Sequence, residues 1–198
     1  MESAGSPPLT TDLLLNAYAS GYFPMADSRN AKEIYWYSPE QRGILPLEHF
    51  HIPRSLQKFM RKCNYEVRFN TAFEAVICYC ADIKTTKRED SWINDTIIAL
   101  YCDLAARGFA QSVECWQENR LVGGLYGVCL GKAFFGESMF SLSENASKFA
   151  LVHLVEHLQE AGYSLLDTQY INSHLLQFGV TEIPKKEYMV LLEKATRG

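Results

Sequence analysis

The sequence predicts an α+β fold in which helices pack on a mostly antiparallel sheet. Three alternating segments follow one another from residue 109 to residue 139, and a long amphipathic helix and a further strand come after them. A run of strands followed by a helix and another strand is typical of this class. Apolar residues make up 47% of the 198 residues, so the chain can bury a core without a disulfide or a metal.

The first third of the chain is predicted to hold two short helices and two short strands. Gly21 ends the first helix, because glycine readily adopts the left-handed conformation that follows a helix. Pro53 is typical of the first turn of the second helix. The predicted elements are a helix at residues 9–20, strands at 34–37 and 43–47 around a turn at 38–40, and a helix from 53 to about 62.

The rest of the chain has a more regular pattern. Gly108 and Gly162 follow the two longest predicted helices, and Gly131 lies in a turn between two strands. The predicted elements are a strand at 65–69, a helix at 71–81, a solvated loop at 84–90, a helix at 95–107, strands at 109–117, 121–130 and 133–139, a helix at 144–161, a strand at 163–169 and two short helices. No flexible linker separates the two parts. We therefore expect a small N-terminal domain (residues 1–62) to pack on a larger domain (residues 63–198).

Composition and charge exclude several classes of protein. No window approaches the ~18 consecutive apolar residues that a membrane span requires, and the first eight residues lack the basic residue and apolar block of a secretory signal. The formal net charge is -4, so a nucleic acid can bind only through a local basic patch. The six cysteines include no C-x-x-C pair, which predicts reduced thiols in a cytoplasmic protein.

The most unusual stretch is residues 121–143, which holds five of the twelve glycines and only two charged residues, Lys132 and Glu137. Glycine weakens a strand, so this density indicates that something approaches the backbone closely. Glu137 lies among aromatic residues, where a buried carboxylate needs a cation or several donors. It either faces water or pairs with a lysine, or it binds a ligand ammonium beside an apolar pocket.

A second polar pair ends the strand that follows the long helix. Asp167 and Gln169 are two residues apart, so in a regular strand their side chains share one face. Polar side chains at the carboxyl end of a strand fit a functional site. Capping of the next helix is the alternative interpretation, and the spacing alone does not decide between them.

Basic residues recur at helical spacing after Pro53, opposite an apolar side. Such a stripe is either a solvated helix face or a surface that follows a phosphate backbone. The residues of the first stripe are Arg54, Lys58, Arg61 and Lys62, and those of a second candidate contact are Lys84, Lys87 and Arg88.

Two patterns resemble metal sites but lack ligands. His153 and His157 match H-x-x-E-H on a helix, yet a third zinc ligand well downstream has little room in the residues that remain. Cys78 and Cys80 lack two further ligands at a suitable spacing. We therefore expect no metal.

Ordered motifs from about residue 12 to residue 190 resemble one known family. They are Ala17-Tyr18, Gly21-Tyr22-Phe23-Pro24, Trp36-Tyr37-Ser38-Pro39, Arg42, His51-Ile52-Pro53-Arg54-Ser55, Trp92-Ile93, Tyr101, Ser112-Val113-Glu114, Leu121-Val122-Gly123-Gly124-Leu125-Tyr126-Gly127-Val128, Phe135-Gly136-Glu137-Ser138-Met139-Phe140-Ser141, Asn145-Ala146-Ser147-Lys148, Asp167-Thr168-Gln169 and Ile183-Pro184. The family is that of the leucyl/phenylalanyl-tRNA–protein transferases. Gln111 and Ala106 stand where this family commonly has histidine, and the loop at 82–90 is longer than usual.

The resemblance implies an acyl-CoA N-acyltransferase-like (GNAT-like) domain with a small N-terminal α/β domain. It implies transfer of Leu or Phe, with Met as a further candidate, from aminoacyl-tRNA to the N-terminal amine of proteins that begin with Arg or Lys, which marks them for degradation. No metal or organic cofactor is implied, and we expect a monomer that does not bind membranes.

The implied reaction gives each candidate residue a role. Leu125, Phe134, Met139 and Leu166 would form the pocket for the Leu or Phe side chain, and Trp36, Trp92 and Tyr101 would contact the terminal adenosine of the tRNA. Gln169 would accept a hydrogen bond from the attacking amine, Asp167 would orient Gln169, and Glu137 would hold an amino group. Whether the proton of the amine goes to Asp167 or to the tRNA's own hydroxyl stays open.

Three other functions are compatible with parts of this pattern. An aminoacyl-tRNA transferase of the same fold could use acidic N-termini or a cell-wall peptide as its acceptor. A CoA-dependent acetyltransferase would need a phosphate-binding glycine turn, which Ser143-Glu144-Asn145-Ala146 does not provide. A non-catalytic tRNA-binding module would have no use for Glu137, Asp167 and Gln169.

Overall fold

A seven-stranded mixed sheet forms the centre of the molecule, and a separate two-stranded hairpin precedes it. The computed structural model describes residues 9–86 and 89–197, so the predicted contacts of Lys87 and Arg88 lie outside the described residues. The helices are α1 (Thr11–Ala19), α2 (Arg54–Met60), α3 (Phe73–Ala81), α4 (Ile83–Thr86), α5 (Asp95–Ala106), α6 (Ala146–Glu160), α7 (Ser173–Leu176) and α8 (Lys185–Thr196). The strands are β1 (Phe23–Ala26), β2 (Ile34–Tyr37), β3 (Gln41–Ile44), β4 (Glu66–Phe69), β5 (Ala110–Gln117), β6 (Arg120–Leu130), β7 (Ala133–Ser141), β8 (Leu165–Gln169) and β9 (Thr181–Pro184).

The large sheet has the strand order β4-β5-β6-β7-β8-β3-β9. Neighbouring strands are antiparallel except for β7 and β8, which α6 connects in parallel. The predicted α+β class is therefore confirmed. Strand β3 lies between β8 and β9, so the segment before residue 62 contributes a strand to the sheet. A domain boundary near residue 62 stays a prediction.

Several element ends follow directly from local sequence. Thr10 and Asn94 cap α1 and α5, because their side chains accept hydrogen bonds from the N–H groups of Leu13 and Ile97. Gly21 has a φ of +80°, which confirms that it ends the first helix in the left-handed conformation.

Three local predictions were incomplete. The turn at 38–40 does not join two paired strands, because β2 pairs with β1 instead. Strand β1 was missed because Pro24 disfavours a strand; the hairpin accommodates this proline since both of its strands are edges. The predicted loop at 84–90 begins within α4, which Asp82 stabilises through the N–H of Lys84.

The C-terminal region also differs from its prediction of two short helices. Strand β9 lies between α7 and α8, and it pairs with β3. Helix α8 is 12 residues long and buries Tyr188 and Leu192. The strand was missed because its exposed residues give no clear alternation of polar and apolar side chains.

The core has two main layers, one on each side of the sheet. Tyr101 and Leu192 belong to the layer under α1, α3, α5 and α8, whereas Leu154 belongs to the layer under α6. On β8 the neighbours Leu165 and Leu166 point into opposite layers, as strand alternation requires. Strand β8 therefore lies between the two layers and carries its last residues to the edge of both.

The dense glycines of residues 121–143 mostly make room for the protein itself. A Cβ on Gly127 would lie 2.3 Å from the carbonyl oxygen of Phe135 and 2.4 Å from the ring of Phe134, and one on Gly123 would lie 2.5 Å from Ala146. A Cβ on Gly136 would make only ordinary van der Waals contact, with its nearest neighbour at 3.6 Å. The close approach predicted from the glycines is therefore mainly intramolecular.

Candidate active site

The two parallel strands stop pairing before they end, and a cavity lies where they stop. The ladder between β7 and β8 ends at Phe135 and Asp167, although β7 continues to Ser141 and β8 to Gln169. A cavity of about 100 Å³ lies beyond this point. In sheets with parallel strands, ligands commonly bind outside the carboxyl ends of the strands. This cavity is therefore the candidate active site.

The lining of the cavity is partly apolar and partly polar. The apolar wall consists of Leu125, Met139, Leu151, Leu154, Leu166 and Leu175. The polar lining consists of Tyr126, Glu137, Ser138, Thr168, Gln169 and Asn172. Three of the four residues predicted for a side-chain pocket thus line one cavity. The fourth, Phe134, is fully buried behind it against Gly127.

A β-bulge aims Glu137 at the cavity. Ser138 pairs with Tyr126 and Gly136 pairs with Gly127, so Glu137 is an extra residue with no partner on β6. Bulges of this kind redirect a side chain and are frequent beside active sites. The local irregularity of β7 thus turns a carboxylate towards the gap between β7 and β8.

Hydrogen bonds hold the Glu137 carboxylate from two helices. The hydroxyl of Tyr18 donates to Oε1 at 2.7 Å, and the hydroxyl of Tyr101 is 3.3 Å from Oε2. The two phenol hydroxyls are also hydrogen-bonded to each other. Burial raises the pKa of Glu137 to about 8, while the two phenols and Arg42 act in the opposite direction. Glu137 therefore titrates close to neutral pH.

Asp167 is engaged in the core and does not line the cavity. Its carboxylate is fully buried and accepts hydrogen bonds from Nε and Nη2 of Arg42 at 3.0 and 2.7 Å, and from the hydroxyl of Tyr188 at 2.7 Å. Arg42 also donates to the carbonyl oxygen of Gly21 at 3.1 Å, and its guanidinium lies between the rings of Phe23 and Tyr188. The ion pair thus has nearly all of its polar atoms satisfied.

Asp167 also sets the backbone of Gln169. The backbone N–H of Gln169 donates to Oδ1 of Asp167 at 2.8 Å, and Gln169 has a φ of +58°. A residue other than glycine adopts this conformation only where its surroundings enforce it. The side-chain Nε2 of Gln169 lies 3.4 Å from Oε1 of Glu137. Of the predicted pair, Gln169 alone lines the cavity, and Asp167 acts on it through the backbone.

The aromatic residues proposed for the adenosine do not line the cavity. Tyr101 is fully buried, so its ring has no face for a base to stack on. Trp36 and Trp92 are half-buried. They lie near each other, because Trp36 pairs with Pro24 on β1 and the carbonyl oxygen of Trp92 accepts the N–H of Ala26 on the same strand.

The basic stripe forms an exposed helix face, as its spacing predicts. Leu56 is buried, so the opposite side of α2 faces the core. The exposed cations of this face are Arg54, Lys58, Arg61 and Lys62, and Lys84 on α4 is also exposed.

A larger groove continues from the cavity. Its volume is about 540 Å³, and it shares Met139, Asn172 and Leu175 with the cavity. The polar residues that line it are Thr85, Thr86, Ser141, Ser147, Lys148 and His174. Lys148 lies in the first turn of α6, where backbone N–H groups favour a negatively charged ligand.

The two histidines of the H-x-x-E-H pattern contact neighbouring side chains of the protein. Nδ1 of His153 is 2.9 Å from Oε2 of Glu156, and the ring of His157 packs on Phe69. Within residues 9–86 and 89–197, no three His, Cys, Asp or Glu side chains gather as a metal-binding group. The six cysteines are free thiols, and Cys78 is exposed.

Sequence reasoning assigned no role to Tyr18, Arg42 and Tyr188. A signal for the ion pair does exist, since Arg42 and Asp167 are each charged residues beside apolar strand segments. A buried charge requires an opposite charge, so the two could have been matched. Nothing in the sequence indicates that α1 brings Tyr18 to Glu137 across 119 positions.

A mixed sheet whose parallel strands separate around a cleft, with a helix connecting them, agrees with the GNAT-like domain that the resemblance implies. The family model described as leucyl/phenylalanyl-tRNA protein transferase matches residues 44–193, and the model of its N-terminal domain matches residues 8–40. The chain belongs to the leucyl/phenylalanyl-tRNA–protein transferase family. The predicted family, fold class and enzyme class are thereby confirmed.

Known relatives cover nearly the whole chain. It is 55% identical over 188 residues to the leucyl/phenylalanyl-tRNA–protein transferase of Paramagnetospirillum magneticum, covering 95% of this chain and 90% of that protein. It is 54% identical over 184 residues to the protein of the same name from Rhizorhabdus wittichii, covering 93% of this chain and 74% of that protein.

Two of the solved structures to which the chain is similar are distant from it in sequence. A ribosomal-protein-alanine N-acetyltransferase from Brucella melitensis aligns with a TM-score of 0.41 and 12% identity, over 57% of this chain and 84% of that chain. L-PGS from Bacillus licheniformis aligns with a TM-score of 0.46 and 11% identity, over 79% of this chain and 65% of that chain. In the described part of the chain, no helix is both long and apolar enough to cross a membrane.

The buried ion pair yields a prediction about stability. Arg42→Ala leaves the Asp167 charge buried without its cation, so we expect the free energy of unfolding to fall by about 3–5 kcal/mol in urea denaturation. The matched control is Arg107→Ala, which removes the exposed bridge to Asp12 and should cost less than about 1 kcal/mol. Equal losses for the two variants would contradict this account.

Proposed function

We propose that the protein transfers Leu or Phe from aminoacyl-tRNA to the N-terminal amine of proteins that begin with Arg or Lys, which marks them for degradation. The observation that carries this proposal is one cavity whose lining combines apolar side chains, suited to an amino-acid side chain, with Glu137 and Gln169. The names of the relatives support the donor and the reaction.

The size and lining of the cavity suit an amino-acid side chain. Pockets for larger ligands span about 300–1,000 Å³, whereas this cavity measures about 100 Å³. Leucines form most of its apolar wall, and Met139 adds a flexible side chain that can adapt to either Leu or Phe. Phe134 supports the wall from behind.

Gln169 and Glu137 would act on the attacking amine. The amine nitrogen forms a bond to the ester carbon, the bond from that carbon to the ribose oxygen breaks, and the amine loses a proton. Gln169 has an amide oxygen that can accept a hydrogen bond from the amine and fix its direction of attack. Asp167 would hold Gln169 in place, because Arg42 and Tyr188 already occupy its carboxylate.

Glu137 would take the proton from the amine. Among the described residues, it is the one carboxylate that lines the cavity. Its pKa of about 8 is close to that of a free α-amine, ~7.7–8.0. Matched pKa values favour transfer in either direction near neutral pH. The leaving ribose oxygen must gain a proton, and Glu137 can return the one it has taken.

The tRNA would approach through the groove beside the cavity. Hydroxyl groups and Lys148 line this groove, and no described carboxylate does. Lys84 lies next to the lining residue Thr85 on α4. The exposed cations of α2 would hold the phosphate backbone further out, and Trp36 and Trp92 remain candidates for the terminal adenosine.

A transfer assay tests the proposed function. Purified protein is incubated with labelled Leu-tRNA and peptides that begin with Arg, Lys, Asp or Glu. We expect label on the Arg and Lys peptides and none on the acidic ones. Label on the acidic peptides alone would overturn the proposed acceptor, and no label on any peptide would overturn the transfer itself.

Replacing Glu137 tests its role as proton acceptor. Glu137→Gln keeps the shape of the side chain but removes the base, so kcat/KM at pH 8 should fall by about 10²–10⁴-fold. The assay is the same peptide transfer, and circular dichroism checks that the variant folds. Turnover near that of the unchanged protein would exclude Glu137 as the base.

The same variant has a second readout that does not depend on activity. The folded protein binds the Glu137 proton more tightly than the unfolded chain, so its stability is greatest below the ordinary pKa of 4.5 and falls as the pH rises towards about 8. Glu137→Gln should remove this fall and be the more stable protein at pH 9. Parallel pH–stability curves would show that the pKa is not raised.

The basic face of α2 is tested by charge removal. Replacing Lys58, Arg61 and Lys62 by Ala should weaken tRNA binding and reduce its salt dependence by roughly one unit of slope per lost contact. The control replaces Lys186, Lys194 and Arg197 on and after α8, which packs on the other side of the sheet. Equal weakening in both triple variants would mean that net charge alone matters.

A further inference from the structure

Tyr18 brings a hydroxyl group to the candidate active site from an element outside the sheet. Helix α1 buries Tyr18 completely, and its ring packs on Phe135 with the centroids 4.7 Å apart. From there its hydroxyl donates a hydrogen bond to Oε1 of Glu137 at 2.7 Å. This is the shortest hydrogen bond that the described residues make to this carboxylate.

We propose that Tyr18 is a positioning residue for the transfer reaction, which favours the charged form of the Glu137 carboxylate and directs it at the substrate amine. The inference rests on the proposed function, because it assumes that Glu137 receives a proton from that amine. It assigns the N-terminal helix a part in the chemistry.

The number of hydrogen bonds that the two phenols can donate places Tyr18 between Tyr101 and Glu137. Each phenol hydroxyl can donate one hydrogen bond, and Tyr18 donates its bond to Glu137. Tyr101 must then donate either to the oxygen of Tyr18 or to Oε2 of Glu137, and its distance to Oε2 is 3.3 Å. Removing the hydroxyl of Tyr18 therefore removes the direct donor and also the acceptor that orders Tyr101.

The donors to Glu137 lie on its buried side. Tyr18 and Tyr101 are both fully buried, and burial raises the pKa of each well above its ordinary value. Both phenols therefore stay protonated and act as donors throughout the working pH range. In a protein interior, hydrogen-bond donors stabilise a charged carboxylate in place of water. The loss of one donor therefore disfavours the charged form.

Besides the two phenols, three groups on the strands of the sheet act on Glu137. Asp167 on β8 disfavours the charged form, and Arg42 on β3 favours it. The amide of Gln169 contributes a long contact of 3.4 Å. Arg42 also binds the carbonyl oxygen of Gly21, just after α1. Tyr18→Phe leaves this contact intact because it removes only a hydroxyl group.

The test is the pH profile of Tyr18→Phe. This variant keeps the ring that packs on Phe135 and removes the hydroxyl alone. We expect the rising limb of kcat/KM to move upwards by about one pH unit, because a donor to a charged group is lost. At pH 7 the rate should be about tenfold lower, and near pH 9.5 it should approach that of the unchanged protein. Tyr163→Phe, which removes a phenol hydroxyl away from the cavity, should leave the profile unchanged.

If kcat/KM of Tyr18→Phe falls by the same factor at every pH, or if the rising limb of its pH profile does not move, the proposal is overturned and Tyr18 is a structural residue. Tyr101→Phe provides a second variant, in which the rising limb of kcat/KM should also move to higher pH, but by less than in Tyr18→Phe. A larger shift for Tyr101→Phe than for Tyr18→Phe would also overturn it. In the double variant with Glu137→Gln, Tyr18→Phe should have no further effect on the profile.

A spectroscopic titration separates this inference from the proposed function. The carboxyl carbon signals of ¹³C-labelled glutamate, with that of Glu137 assigned by its absence in Glu137→Gln, report the pKa without any substrate. We expect a higher pKa of Glu137 in Tyr18→Phe than in the unchanged protein. An equal pKa would sink the inference even if transfer occurs, whereas failed transfer with a raised pKa would reject the proposed function alone.

Discussion

The buried ion pair between Arg42 and Asp167 is the interaction on which the candidate site depends. Two opposite charges in a protein interior are stable only when their geometry is good and their remaining hydrogen bonds are made. Here Gly21, Tyr188 and the backbone of Gln169 supply those bonds. The pair thereby joins β3 to β8, ties both to α8 and to the end of α1, and sets the turn that aims Gln169 at the cavity.

This arrangement makes the N-terminal segment a part of the site. Tyr18 comes from α1 and Arg42 from β3, yet both act on residues that follow position 130. The family models divide the chain between residues 40 and 44, and Arg42 lies in that interval. The two family models match separate parts of the sequence, whereas the candidate site draws side chains from both parts.

Much of the fold could be predicted because its signals are local. The alternation of β5 to β7 and the capping glycine at position 21 depend on neighbouring residues alone. Strand β1 was missed because Pro24 gives the opposite local signal, and β9 because pairing with β3, rather than its own pattern, makes it a strand. The crowded glycines indicated a close approach to the backbone, and at Gly127 the approaching groups are the protein's own Phe134 and Phe135.

The residues that line the site were more predictable than their interactions. A carboxylate among aromatic residues had to have donors, and Glu137 has them. Which donors it has could not be predicted, because Tyr18 and Tyr101 are distant in sequence and only tertiary packing unites them. Strand alternation likewise cannot anticipate the positive φ of Gln169, which follows from the hydrogen bond that Asp167 accepts.

The central claim is that the ion pair holds Gln169 opposite Glu137, at the mouth of a cavity that receives one apolar side chain. A crystal structure with adenosine that carries phenylalanine through a stable 3′-amide tests it most directly. The account predicts the phenyl ring against Leu125, Met139 and Leu166, with the α-amine within hydrogen-bond distance of Glu137 or Gln169. A ring bound outside this cavity, or an amine far from both side chains, would contradict it.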